Sequence, residues 1–197
     1  MDRPGEPGVE GPAALSSHLA SAEPGVPRVR VETLAARHGR DLAAEGVSVL
    51  PLGGAHAAGR VLEELAAREV RLVGLCDVGE EHEYRRGLER AGLGPVRTRA
   101  EMEALGFFVC DADLEDELIR AVGADAIEEI AATRGDLQSF RTLQKQPAWL
   151  GRPREEQLHR WLGSGGRRKT RYARYLVETL DVTQVPRPLA RVLAAVA

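Results

Sequence analysis

The stretch Val70-Arg-Leu-Val-Gly-Leu-Cys-Asp-Val-Gly-Glu-Glu81 decides the fold. From Val70 to Asp77, six of eight residues are apolar or glycine. A strand with one wet face alternates apolar and polar residues. A near-continuous apolar run is a strand covered on both faces, as in parallel sheets. The run stops abruptly at Asp77, Gly79, Glu80 and Glu81. In open α/β sheets ligands bind beyond the carboxyl ends of the strands, and carboxylates gathered there are oxygen ligands for a hard cation.

Gly106-Phe-Phe-Val-Cys110 is a second strand of this kind. It leads into Asp111-Ala-Asp-Leu-Glu-Asp-Glu117, with five carboxylates in seven positions. Asp113 is placed to cap a helix continuing through Leu118, Ile119 and Val122. Between the two strands the sequence predicts a helix over 80–90 and a short helix opened by the capping-box pattern Thr98-Arg-Ala-Glu101. On the amino-terminal side, Val47–Pro51 reads as a strand and 57–68 as a helix. A helix with a break near Gly39 is expected over 31–44. Strands alternating with helices on short connections give an α/β fold: a central parallel sheet flanked by helices. After Gly123 the pattern is helical, with segments near 124–133, 137–144, 154–162, 169–180 and 189–195.

Three regions follow. Residues 1–28 hold four glycines and five prolines and read as a disordered leader. Residues 29–135 form the α/β core, and 136–197 a helical, basic extension of the same domain. The net charge of −3 hides an asymmetry. Residues 1–140 carry 15 Lys and Arg against 26 Asp and Glu, whereas 141–197 carry 12 against 4. An acidic body beside a basic region suits a metal site next to a polyanion-binding surface, and solvated helix faces also produce it. Cys76 and Cys110 lie in separate apolar runs and read as small core residues in a reducing compartment. No run approaches the roughly 18 apolar residues of a membrane span, and a cytoplasmic location is expected.

Two constellations bear on chemistry. The acids at 77–81 and 111–117 end two strands, and adjacent strands lie about 4.8 Å apart, so they can share a divalent ion. Such an ion holds a phosphodiester and generates a water nucleophile. Acids in a first helical turn also serve as caps. The second constellation is Gly163-Ser-Gly-Gly166 followed by Arg167, Arg168, Lys169, Arg171 and Arg174, with Tyr172 and Tyr175 interleaved. Arg167, Arg168, Lys169, Arg171 and Arg174 suit contact with nucleic-acid phosphates, with Arg167, Arg171 and Arg174 on one helix face, or the stretch is a solvated face with the tyrosines inward. The glycine loop lacks P-loop spacing. None of the five histidines has zinc spacing with a cysteine.

The order Val-Ser-Val-Leu-Pro-Leu-Gly-Gly, then Leu-Val-Gly-Leu-Cys-Asp-Val-Gly-Glu-Glu, then Phe-Phe-Val-Cys-Asp-Ala-Asp-Leu-Glu-Asp-Glu-Leu resembles a Toprim domain. It is similar in particular to the carboxyl-terminal Toprim of the OLD (overcoming lysogenization defect) family of ATP-dependent endonucleases, over roughly residues 29–197. The resemblance implies Mg²⁺ or Mn²⁺ at the strand ends and phosphodiester cleavage of DNA. It implies Asp77, Asp113 and Glu115 as metal ligands, Glu80 standing in where Gly79 replaces the second acid of the motif, and Lys169 as a catalytic lysine. A Toprim domain begins with a strand ending in Glu-Gly. The glycine- and proline-rich leader stands in that place, and the ATPase domain of the family is lacking. The chain is thus expected to be an amino-truncated nuclease domain working with a separate ATPase chain or as a homodimer. The other readings are a catalytically degenerate Toprim module that binds nucleic acid or a partner ATPase, and a small-molecule-binding α/β domain.

Overall fold

The computed structural model describes residues 17–21, 26–51, 55–68 and 70–196. Four strands form one parallel sheet: β1 (Ser17–Ser21), β2 (Val47–Pro51), β3 (Arg71–Asp77) and β4 (Phe107–Cys110), in the order β2-β1-β3-β4. Helix α1 (Val26–Arg37) joins β1 to β2, and α2 (Ala55–Ala66) leads back to β3. A 3-10 turn at Val78–Glu80, α3 (Glu81–Arg90) and α4 (Arg99–Ala104) lead to β4. Six further helices follow: α5 (Leu114–Val122), α6 (Ala124–Thr133), α7 (Leu137–Gln144), α8 (Arg154–Gly163), α9 (Gly166–Thr179) and α10 (Arg187–Ala195).

The buried run was legible because it is covered twice. In β3, Leu72 and Cys76 face a cluster with Leu62, Tyr84, Leu88, Met102 and Phe107 from α2–α4 and β4. Val73 and Leu75 face the larger cluster, built with α1, α5–α10 and Phe108. Gly74 is required by its neighbour: a Cβ there would stand 2.2 Å from the Phe107 ring, the residue paired with it on β4. Helices α2 and α3 touch backbone to backbone, since a Cβ on Gly87 would lie 2.8 Å from Gly59 Cα. Both cysteines are buried and free.

One expectation is corrected. The sequence predicts a leader over 1–28 with the first strand lacking, yet Ser17–Ser21 pairs with both β2 and β3 at the centre of the sheet. Helix α1 also starts earlier than expected, at Val26, and ends at Arg37. The five residues Ser-His-Leu-Ala-Ser carry one large apolar side chain among glycines and prolines, so their strand state comes from pairing on both edges rather than local preference. The rest of the leader lies outside the described residues. Among the described residues, no helix is long and apolar enough to cross a membrane.

Candidate functional site

The strand order has a switch point. From β1 the chain moves out to β2 on one side, then returns past β1 to β3 and β4 on the other. Parallel α/β sheets bind ligands at the carboxyl ends of the strands flanking such a reversal, here β1 and β3. Asp77 ends β3, and by the two-residue period it belongs to the face of Val73 and Leu75, which lies in the larger core cluster and against which α10 packs. Its backbone N–H donates to Glu80 Oε2 at 3.4 Å, so these two acids share one turn. Glu81 is committed elsewhere, to Arg85 and, at 2.8 Å, to Arg99.

The second acidic cluster folds as its sequence predicts at the helix start. Asp113 is extended and accepts a hydrogen bond from the Asp116 N–H at 2.7 Å, capping α5. Its other oxygen, Oδ2, lies 2.6 Å from His159 Nε2 on α8. Burial alone would raise the Asp113 pKa, but the His159 contact and the Asp116 N–H outweigh it and hold it at about 2. The same contact raises His159 against the opposing effect of burial.

Glu115 is 4% exposed and points inward, where Arg30, 2% exposed, places Nη2 at 3.2 Å from its Oε2. Lys169 Nζ lies 3.9 Å from the same oxygen. Burial raises the Glu115 pKa, with Arg30 and then Lys169 opposing that rise. Arg30 reaches the site because α1 packs on α9 through residues at helical spacing, Arg30, Leu34 and Arg37. Leu34 is buried in the core, and Arg37 donates to the carbonyls of Val177 and Leu180 at the end of α9.

Asp77 and Glu80 lie together in one turn, and Asp113 and Glu115 lie at the start of α5, each already engaged by a cationic or hydrogen-bonding side chain. Among the described residues, no three His, Cys, Asp or Glu side chains come together to hold a metal ion. Arg30 and His159 are the residues that sequence reasoning missed. They lie 85 and 46 positions from their acids, and nothing local marks them.

The basic stretch divides in two. Arg167, Arg171 and Arg174 are exposed along α9. Arg171 sits 3.2 Å from Asp136 and Arg174 2.6 Å from Glu178, exposed pairs of the kind that exchange readily for other anions. A cleft of about 620 Å³ beside them is also lined by Arg134 and Tyr175, with the Arg134 guanidinium 4.3 Å over the Tyr175 ring. Arg168 departs from this row. Its guanidinium turns inward to the Trp161 carbonyl at 2.9 Å and to Ser164 and Ser139 at 3.0 Å, fastening α9 to α7 and α8. Lys169 likewise turns toward Glu115.

A pH dependence follows from the Asp113–His159 pair. A lowered acid contributes stability that is present above its ordinary 3.8 and is lost as pH falls toward about 2. A raised histidine contributes stability that is present below its ordinary 6.5 and is lost as pH rises through the higher folded value. The pair thus supports the fold most between these limits. In urea melts across pH, His159→Gln is expected to remove the loss on the alkaline side and move the acid-side loss to higher pH. Parallel curves for wild type and variant would show that the contact contributes nothing.

No protein-family model and no curated protein matches the sequence. Solved structures do match. The chain superposes on the C-terminal region of the Xanthomonas campestris pv. campestris OLD protein with a TM-score of 0.69 and 21% identity, covering 91% of this chain and 90% of that one. A second structure of that region gives 0.67 and 22%, covering 91% and 93%. The C-terminal region of the Burkholderia pseudomallei OLD protein gives 0.68 and 18%, covering 92% and 97%. At these identities the likeness is one of fold: the chain has the fold of the C-terminal region of OLD proteins.

Proposed function

We propose that this chain is a Toprim-type module that binds DNA through the exposed face of α9, beside strand-end acids neutralised largely from within. The observation that supports this is the division of the basic stretch. Lys169 turns inward to Glu115, while Arg167, Arg171 and Arg174 stay exposed in one row next to the cleft of Arg134 and Tyr175. Arginines in a row neutralise successive phosphates, and binding of that kind is salt-dependent. The OLD C-terminal fold supports the same reading through the family resemblance, which also names a separate ATPase chain or a second copy as partner.

The test is fluorescence anisotropy with duplex DNA over a range of salt. Changing Arg167, Arg171 and Arg174 together to glutamine is expected to reduce the slope of log K against log salt by about 2 to 3. An unchanged slope would remove α9 as the contact surface.

One observation favours a second reading, a Mg²⁺- or Mn²⁺-dependent DNA endonuclease with Asp77 as ligand and Lys169 near the scissile phosphate. The first strand, which the sequence reading expects to be lacking, is present as β1 beside β3. In the sequence, Glu23 stands two positions past Ser21, as Asp77 stands two past Leu75, the partner of Ser21. Glu23 itself lies outside the described residues. Nicking of supercoiled plasmid that needs Mg²⁺ or Mn²⁺ and is lost in Asp77→Ala, Lys169→Ala and Glu23→Gln would establish the second reading. Retained DNA binding with no nicking by the wild type leaves the module alone.

A further inference from the structure

The carboxylate that the resemblance assigns to a metal faces a cation supplied by the chain itself. We propose that the Arg30 guanidinium is the resident counter-cation of Glu115 and takes the place of a divalent ion there, so that Glu115 is not a metal ligand. The inference does not rest on DNA binding by α9, and its test reads metal rather than DNA.

Charge and space both set Glu115 apart from a metal ligand. Arg30 Nη2 and Lys169 Nζ stand 3.2 Å and 3.9 Å from one oxygen, Glu115 Oε2. A Mg²⁺ ion on that oxygen, at roughly 2.0 to 2.1 Å, would join two positive groups in a site with little water to screen them. Arg30 has no easy way out. Its neighbours Val31, Leu34 and Ala35 are buried in the main core, and Arg37 ties the same helix to the end of α9. The contact is also not that of a structural fork. A guanidinium placed to lock geometry uses paired N–H groups on a carboxylate. Here Arg30 Nε is buried and makes no hydrogen bond among the described residues. What Arg30 gives Glu115 is mainly positive charge, which is what a metal ion would otherwise give.

The experiment is Mn²⁺ titration of the full chain, followed by electron paramagnetic resonance and calorimetry, with circular dichroism to confirm folding. Wild type and Glu115→Gln are expected to match within about twofold in Mn²⁺ affinity, since a residue that is not a ligand leaves the ligand charge count unchanged. Arg30→Met is expected to gain about tenfold or more, because one anionic ligand is freed, and Arg30→Met/Glu115→Gln to lose that gain. Weakened Mn²⁺ binding in Glu115→Gln alone would make Glu115 a ligand and overturn the proposal, as would a folded Arg30→Met without the gain. If Arg30→Met does not fold, the comparison of wild type with Glu115→Gln decides by itself.

Discussion

Replacing Trp161 with alanine is expected to cost the fold about 3 to 5 kcal/mol, the range for removing a large aromatic from a packed core. Trp161 is 1% exposed, and its ring lies 5.4 Å from Phe140 and 5.1 Å from Tyr172. Its indole N–H donates to Ser139 Oγ at 2.7 Å, and Arg168 covers its face at 4.7 Å. The substitution therefore opens a cavity between α7, α8 and α9 and strips Arg168 of a stacking surface. The effect should reach the sheet, because Trp161 belongs to the same cluster as Val49, Val73 and Phe108. Urea unfolding followed by circular dichroism is expected to show one transition in both proteins, displaced to lower urea in the variant. A loss below about 1 kcal/mol, within the ordinary run of substitutions, or a two-step transition, would mean that the helices after residue 136 stand apart from the sheet.

What could be read from the sequence divides along the range of the interactions. The strand Arg71–Asp77, the Thr98–Glu101 box and the Asp113 cap were legible because each depends on residues within a few positions of one another. The helices from α6 to α10 were legible for the same reason. Strand β1 was not, because Ser17–Ser21 has little apolar signal of its own and gains its state from two neighbours 30 and 54 positions away. The acids were legible as residues but not in their roles. Spacing placed Asp113 and Glu115 at a strand end, yet whether such an acid meets a metal or an arginine depends on what α1 and α8 bring across. Arg30 gave no sign in sequence, as one more arginine near the start of a helix. The inward turn of Arg168 out of the α9 row was hidden too, since helical spacing separates faces but does not say which face a neighbouring helix covers.

The Arg30–Glu115 pair gives the second large expected effect, read as stability. Breaking a buried ion pair by removing one partner typically costs about 3 to 5 kcal/mol, because the other charge stays buried, whereas replacing both with apolar groups is often near neutral. The two single variants should differ in kind. In Glu115→Leu the stranded group is a guanidinium, which cannot discharge, so its cost should persist across pH. In Arg30→Met the stranded group is a carboxyl whose pKa is already raised by burial, and removing Arg30 takes away the largest influence opposing that rise. An acid raised above its unfolded value holds its proton longer in the folded state, so its stability falls as pH climbs past the ordinary 4.5. Arg30→Met should therefore be milder near pH 5 than near pH 7. The double variant Arg30→Met/Glu115→Leu is expected to regain most of either loss and to lie within about 1 kcal/mol of the wild type. Lys169 sets the remaining difference, since at 3.9 Å from Glu115 it loses an anionic neighbour in both Leu variants. Urea midpoints of the four proteins at two pH values measure the cycle. Additive single effects, with a coupling below about 0.5 kcal/mol, would show that Arg30 and Glu115 are merely adjacent. A strong coupling would make the pair the internal balance on which this strand end is built.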